Sequence, residues 1–218
     1  MLPLLARRAD DGPLRLLAIG AHSDDIEIGC AGTILKLIEQ GWLSEVCWVV
    51  LTGETKRAAE AGQSADALLG DIPGKRVILK DFRDGYFPYD GAKIKGFFEE
   101  LKGELSPDVI LTHQRSDLHQ DHRVTCELTW NTFRDHLILE YEIPKYDGDM
   151  GVPNLFVPLH ESVCRKKIDH LMTHFASQVS KRWFNEDLFS GLLRLRGMEC
   201  NSPTSYAEAF YCRKAMLM

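Results

Sequence analysis

Residues 14–33 read LRLLAIGAHSDDIEIGCAGT, and the order of side chains in this stretch predicts a strand followed by a helix. The run from Leu14 to Ala21 is almost entirely apolar, as expected of a central parallel strand that is covered on both faces. Residues 31–40 then have helical spacing and stop at Gly41, a residue type that often follows a helix C-terminus. The stretch is therefore typical of the first β-α unit of an α/β protein.

The same alternation continues along the chain. Further strands are predicted at residues 45–51, 76–80 and 108–112, and further helices at residues 57–69, 92–105 and 121–136. Strands that alternate with helices of this length imply right-handed crossovers. The predicted fold class is therefore α/β, with a Rossmann-like, mostly parallel sheet and helices on both faces.

The last third of the chain is less regular. Residues 141–154 (YEIPKYDGDMGVPN) have the composition of a loop, and residues 155–159 (LFVPL) predict an extra strand. Two helices, at residues 162–180 and 185–196, are expected to close the fold. Because the sequence shows no repeat and no clean boundary, a single domain is predicted over residues 1–218.

The composition is that of a soluble globular protein, with 44% hydrophobic and 27% charged residues among 218. A net charge of -6 argues against binding nucleic acid, and no apolar run reaches the roughly 20 residues that span a membrane. Six cysteines lie far apart without a CxxC pair, and the first apolar run precedes the arginines, the reverse of a secretory signal. A cytoplasmic protein with reduced thiols is expected, and a homo-oligomer is compatible with this composition.

His22, Asp24 and Asp25 stand where the first strand is predicted to end. Adjacent carboxylates repel each other and are costly to bury, so a purely structural role requires partners for both of them. A bound cation would serve both carboxylates at once. The sequence therefore raises a metal site as a hypothesis at this strand end.

A second polar cluster, THQRSDLHQDHR at residues 112–123, follows the predicted fourth strand. Its candidate ligands are His113, Asp117, His119, Asp121 and His122. Ligands of open α/β sheets bind beyond the carboxyl ends of the strands, and strands one and four are neighbours in the usual doubly wound order. A catalytic zinc takes three protein ligands, so two from the first cluster and one from the second would suffice. The residues alone do not say which ones, and a lone His or Asp at a strand end is more often a capping residue.

At this point the motifs match a known family. AHSDDIEIGCAGT resembles the AHPDD-x-E-x-G-C-G-G-T signature of the PIG-L/LmbE-like zinc N-deacetylases, and LHQDHR resembles their H-P-D-H element. LTGETKRAAE, DFRDG, HFASQ, LRLRG and YAEAF follow in the order of the family. The resemblance runs over residues 16–210. It implies a hydrolase that removes the acetyl group from an N-acetylated amino sugar within a nucleotide-linked sugar, a sugar lipid or a thiol-precursor glycoside.

The resemblance also implies residue roles. His22, Asp25 and His122 would bind Zn²⁺, and Asp24 would be the general base. His119 would stabilise the oxyanion or protonate the leaving amine, and Asp121 would orient a nearby histidine. A carboxylate flanking His119 is expected to raise its pKa above the ordinary value of roughly 6.5.

Other positions have two interpretations each. The resemblance places Arg57 and Asp84 at the substrate, although Arg57 can equally form an ion pair on a helix surface and Asp84 can belong to a plain turn. Ser23 and Gln120 replace prolines of the family pattern, which removes conformational constraints rather than ligands. His170 and His174 have metal-binding spacing but lack the glutamate of H-E-x-x-H. A solvated or capping pair is therefore predicted, with His174 a candidate for packing near the site.

Two other functions remain as alternatives. The order His22-Ser23-Asp24 with a distant histidine also fits the triad of a non-haem Fe(II) oxygenase, but that hypothesis leaves Asp25 without a role and belongs with a β-rich scaffold. A non-catalytic Rossmann-like module would bind a nucleotide. The first turn lacks G-x-G-x-x-G, however, and its two aspartates would repel a pyrophosphate.

Overall fold

The structure is a computed structural model that describes residues 12–53 and 55–216. Within these residues one sheet contains seven strands: β1 Leu14–Gly20, β2 Leu43–Val50, β3 Gly74–Leu79, β4 Val109–His113, β5 Leu137–Tyr141, β6 Leu155–Leu159 and β7 Tyr206–Tyr211. The helices are α1 Asp25–Glu39, α2 Thr55–Leu69, α3 Phe87–Glu104, α4 Gln120–Thr132, α5 Glu161–His174 and α6 Glu186–Glu199.

The sheet has the order β3-β2-β1-β4-β5-β7-β6. The five strands from β3 to β5 are parallel, while β7 runs antiparallel to both of its neighbours. Strand β1 lies between β2 and β4, so the predicted adjacency of the first and fourth strands is confirmed. The carboxyl ends of β1 and β4 therefore meet at one edge of the sheet, where both polar clusters begin.

Strand β1 shows why helices must cover both faces. Leu16 and Ala18 belong to the apolar cluster under α1, α2, α5 and α6, whereas Leu17 and Ile19 belong to the cluster under α3 and α4. Alternate side chains of a strand point to opposite faces, and all four of these are buried. The predicted α/β class with two covered faces is thus confirmed.

Several element boundaries differ from the predictions. Helix α1 begins at Asp25 rather than at residue 31, and α3 begins at Phe87 because Pro88 fits the first turn of a helix. Helix α4 ends at Thr132, and the residues after it form the five-residue strand β5, which was not predicted. Strand β7 was not predicted either. Among the described helices, none has the length and apolarity needed to cross a membrane.

Candidate metal centre and active site

The two polar clusters come together at the carboxyl edge of the sheet. Asp25 is the first residue of α1, and His22 lies in the turn between β1 and that helix. His122 lies in the first turn of α4, the helix that follows β4. The three side chains are almost completely buried. The strand-turn-helix geometry that follows from the parallel sheet therefore brings these polar groups to one point.

Three side-chain atoms have the spacing of metal ligands. His22 Nδ1 lies 3.0 Å from His122 Nε2 and 3.3 Å from Asp25 Oδ2, and His122 Nε2 lies 3.5 Å from the same carboxylate oxygen. Ligand bonds of about 2.0–2.1 Å in a tetrahedral arrangement separate ligand atoms by about 3.3–3.4 Å. The residues present therefore fit a small divalent cation such as Zn²⁺.

The outer nitrogens of both histidines face carboxylates. His122 Nδ1 lies 2.9 Å from Asp117 Oδ2, while His22 Nε2 lies 3.1 Å from Asp84 Oδ1 and 3.4 Å from Asp121 Oδ2. A carboxylate can only accept, so each of these outer nitrogens carries the proton when its imidazole is neutral. The inner nitrogens then present lone pairs toward one another, an arrangement that a cation would stabilise.

The geometry also permits other ligand sets. The atoms of each alternative triple lie within 4.8 Å of one another: His22 with His119 and His122, Asp25 with His113 and His122, and His22 with Asp84 and Asp121. His113 lies 3.1 Å from Asp25, stacks on His122 and accepts a hydrogen bond from the Ala21 amide. The structure thus shows one His/Asp cluster that can hold a metal ion.

The electrostatics of the pocket favour positive charge. Burial opposes protonation of His22, yet Asp25, Asp121 and Asp84 raise its pKa well above the ordinary value. Burial and the charge of His113 lower the pKa of His122 to about 3. His122 is therefore already neutral at physiological pH, whereas His22 would have to release a proton when it binds a metal ion.

The two adjacent aspartates have opposite pKa shifts. Burial would raise the pKa of Asp25, but the charges of His122, His113 and His22 hold it well below its ordinary value. Burial and the neighbouring charge of Asp25 raise the pKa of Asp24. Asp24 Oδ2 is buried and has no hydrogen-bond partner among the residues that the structure describes, while Oδ1 lies 3.4 Å from Arg57 Nη2. Asp24 therefore has a free basic atom beside the cluster.

His119 caps the N-terminus of α4, and its Nδ1 accepts a hydrogen bond from the Asp121 amide. Its ring is half-buried and lies edge-on to His22, with centroids 4.8 Å apart. The expected upward shift of its pKa is wrong. Asp121 does act in that direction, but burial and the charge of His22 outweigh it and lower the pKa of His119.

Asp121 is completely buried, and its oxygens accept hydrogen bonds from the amides of Gly85 and Phe87. Its Oδ2 also lies 3.4 Å from His22 Nε2. Asp121 thus joins the turn before α3 to His22. This contact agrees with an orienting role, directed at His22 rather than at His119.

Arg57 connects several parts of the cluster. Its Nε donates to Ser23 Oγ at 3.1 Å, and its two terminal nitrogens lie near Asp24 Oδ1 and Asp84 Oδ2 at 3.4 and 3.3 Å. The Asp84 side chain is 44% exposed, so it stands at the mouth of the site. The hydrogen bond to His22 lowers the pKa of Asp84 to about 2 despite partial burial.

Ser23 and Gln120, the two residues at the proline positions of the family pattern, both form hydrogen bonds next to the site. Ser23 accepts from Arg57, and Gln120 donates through Nε2 to the Gly85 carbonyl.

Some residues of the site region received no role from the sequence. Asp117 was only one member of a polar cluster, and Lys145, which lies 3.0 Å from it, stands in a segment classified by loop composition. Buried Glu27 accepts a hydrogen bond from Ser64, whose hydroxyl lies 2.7 Å from His170 Nε2. His170 is therefore a half-buried residue within α5 that contacts Ser64, and it does not cap the helix. The sequence signal for these contacts is Glu27 itself, an acidic residue among the apolar residues of the first helix.

Comparisons with known proteins agree with this geometry. Residues 17–133, more than half of the chain, match the family model described as PIG-L, GlcNAc-PI de-N-acetylase. Over 170 residues the chain is 28% identical to a protein of Escherichia coli K12 named uncharacterized deacetylase YaiS, covering 73% of this chain and 89% of the relative.

Two solved structures show the same fold. N,N'-diacetylchitobiose deacetylase from Pyrococcus horikoshii superimposes with a TM-score of 0.67 at 20% identity, covering 93% of this chain and 84% of the other. The 4-carboxy-2-hydroxymuconate hydratase GalB from Pseudomonas putida KT2440 reaches 0.71 at 18% identity, covering 94% and 98%. Since the second protein is named for another reaction, fold likeness does not by itself decide chemistry. The match of the family model does decide membership. This chain belongs to the PIG-L family, and the prediction of an amide-hydrolysing deacetylase is confirmed.

Proposed function

We propose that this chain is a zinc-dependent hydrolase that removes the acetyl group from an N-acetylated amino sugar within a larger glycoconjugate. His22, Asp25 and His122 hold the metal, and Asp24 is the general base. The observation that carries the proposal is the mutual spacing of the three ligand atoms at 3.0, 3.3 and 3.5 Å, beside a buried Asp24 oxygen. This combination has the parts that amide hydrolysis needs.

The residues divide the work of amide hydrolysis. When bound, zinc supplies a Lewis acid that lowers the pKa of water to roughly 7 and polarises the acetyl carbonyl. Asp24 Oδ2, which has no partner among the described side chains and backbone groups, accepts the proton of the attacking water. The raised pKa of Asp24 makes it a stronger base than an exposed aspartate would be.

His119 completes the site on the side of the leaving group. Its Nδ1 is engaged with the Asp121 amide, which fixes the ring and leaves Nε2 available. Protonation at Nδ1 ends this hydrogen bond, and the resulting imidazolium would place positive charge near the developing oxyanion and donate a proton from Nε2 to the departing amine. Asp121 orients His22 from the opposite side of the cluster. Arg57 and Asp84 stand at the partly exposed mouth, where they would contact sugar hydroxyls.

The substrate class rests on relatives. The family is described by GlcNAc-PI, a sugar lipid, and a structural neighbour is named for diacetylchitobiose. Both names contain an N-acetylated amino sugar joined to another group. Groups remote from the acetamide supply binding energy that can be used at the reacting centre, so a free amino sugar should be a poorer substrate.

The proposed cellular setting is supported by the state of the cysteines. All six are unpaired, and five of them are buried. Unpaired thiols are usual in a reducing compartment, which supports a cytoplasmic location.

A panel of N-acetyl glycoconjugates tests the proposal. Acetate release should appear with at least one conjugate, stop on addition of a chelator and return with zinc. His122→Ala should lose both activity and about one equivalent of metal per chain. No acetate release from a broad panel would overturn the proposed substrate class, and full metal occupancy in His122→Ala would remove that residue from the ligand set. Iron after aerobic purification together with oxygen consumption would favour the oxygenase alternative.

A further inference from the structure

Behind His122 lies a buried charged group that the proposed reaction does not use. Asp117 is completely buried, and its Oδ2 contacts both His122 Nδ1 at 2.9 Å and Lys145 Nζ at 3.0 Å. Lys145 also pairs closely with Asp149. The side chains of Lys145 and Asp149 are 9% and 3% exposed. One lysine therefore lies between two buried carboxylates, directly behind a candidate metal ligand.

The lysine comes from a part of the chain that is irregular. Lys145 and Asp149 belong to the connection between β5 and β6, whereas Asp117 and His122 belong to the turn and helix that follow β4. The contact is reinforced because Asp149 Oδ2 accepts a hydrogen bond from the Leu118 amide at 2.7 Å. The connection is thus joined to the candidate metal-binding turn at Asp117 and at the next residue, Leu118.

We propose that Lys145 is a positioning residue for the metal ligand His122, acting through Asp117, and that Asp149 fixes the lysine. The inference rests on the proposed metal site. Lys145 holds the Asp117 oxygen at the position where it accepts the Nδ1 proton of His122. That hydrogen bond sets the ring orientation and directs the Nε2 lone pair into the cluster.

A structural role alone explains the arrangement poorly. Buried ion pairs seldom contribute much net stability, because the cost of removing the charges from water offsets their attraction. A hydrogen bond behind a ligating histidine, in contrast, controls how well the ligand is presented. The two roles can be distinguished by measurement, because a substitution can change the thermal stability of the protein without changing its affinity for the metal.

Metal affinity of the whole chain is the test, with zinc as the probe and a competing chromophoric chelator as the indicator. Replacing partners that orient ligands typically weakens metal binding by about 10- to 100-fold, and Lys145→Met should lie near the lower end because it acts through Asp117. In an Asp117→Asn background the same change should have little further effect, because the residue through which it acts is gone.

Lys167→Met is the matched control. Lys167 is more deeply buried than Lys145 and pairs with Glu208 at 2.6 Å, but it contacts no residue of the cluster in the hydrogen bonds and ion pairs of the described chain. This control should lower the thermal midpoint while leaving the zinc Kd unchanged. If Lys167→Met weakens zinc binding as much as Lys145→Met does, general destabilisation explains the effect and the proposal fails.

Two further outcomes are decisive. Unchanged zinc affinity in Lys145→Met, or an undiminished effect of that change in the Asp117→Asn background, overturns the positioning role. If Lys145→Met does not fold, Asp149→Asn takes its place, because it keeps the lysine opposite Asp117 but removes the second anchor. It should weaken zinc binding by a smaller factor, and an unchanged Kd overturns the proposal. A parent chain that binds no divalent metal would instead overturn the proposed function itself.

Discussion

Asp24→Asn tests the proposed general base separately from the proposed metal ligands. Asparagine has nearly the shape of aspartate and keeps an oxygen that can face Arg57, which lies 3.4 Å from Asp24 Oδ1. What it removes is the charge and the basicity of the buried Oδ2. The substitution therefore tests proton transfer with little change in packing.

The expected loss follows from the role of the group. General bases contribute about 10²- to 10⁴-fold to turnover, which is about 3–5 kcal/mol of activation free energy. Asp24 is not one of the three residues whose ligand atoms face one another in the cluster. The metal content should therefore stay near one ion per chain. Steady-state acetate release and elemental analysis of the same sample measure both quantities.

The pH profile gives a second readout. Burial and Asp25 raise the pKa of Asp24, and the ionised form is the active base. Turnover of the parent should therefore rise as the pH increases through this raised pKa, and the acidic limb should flatten in Asp24→Asn. Because the groups of the site are coupled, the apparent pKa describes the site as a whole. Asp66→Asn, an exposed aspartate on α2, should leave the profile unchanged. Full turnover in Asp24→Asn with its metal retained would refute the assignment.

Three other substitutions have distinct expected results. His119→Ala should keep its metal and lose about 100- to 1,000-fold in kcat. In the parent, the basic limb of the pH profile should lie at lower pH than an ordinary histidine would give, because burial and His22 lower the pKa of His119. A loss below about threefold, with that limb intact, would make His119 structural. Ser23→Ala removes the acceptor for Arg57 Nε and should raise KM by about two- to tenfold, and a fall in kcat with unchanged KM would contradict a role in substrate binding. Glu27→Gln should have a higher free energy of unfolding than the parent, and this difference should grow as pH rises. Burial raises the pKa of Glu27 well above 4.5, so between that value and its folded pKa the unfolded chain ionises and the folded chain does not, which costs the parent up to about 1.4 kcal/mol per pH unit. Thermal midpoints at pH 5 and pH 8 check this, with the exposed Glu100→Gln as control, and an equal difference at both values would be inconsistent with it.

The elements that carry the site could be predicted from the sequence because their signals are local. The apolar run of β1 and the polar residues after it are contiguous, and the same is true of β4 and residues 112–123. The weaker predictions failed where tertiary contacts decide the structure. Strand β5 is only five residues long and follows closely after a helix, so its local signal is weak. Strand β7 pairs antiparallel with β5 and β6, which lie more than forty residues earlier in the chain.

Contacts between distant segments account for what was missed in the site itself. Lys145 reaches Asp117 from a segment whose composition indicates only a loop, and no local pattern marks that lysine as buried. The same holds for His170, whose partner Ser64 lies on another helix. Residue spacing predicts which groups share a strand end, whereas the partners of each group depend on how the remaining segments pack over it.

The choice of nitrogen shows this dependence most clearly. His22 directs Nδ1 into the cluster because Asp84 and Asp121 lie on the side of Nε2, whereas His122 directs Nε2 inward because Asp117 lies on the side of Nδ1. The two carboxylates that face His22 come from the segment before α3 and from α4, so its orientation depends on segments distant in the sequence. Asp117 lies five residues before His122, but it also contacts Lys145 from the connection between β5 and β6. A metal site of this kind is therefore built by the whole carboxyl edge of the sheet. Changes at Asp84 or Asp117 should alter ligand presentation without removing a ligand.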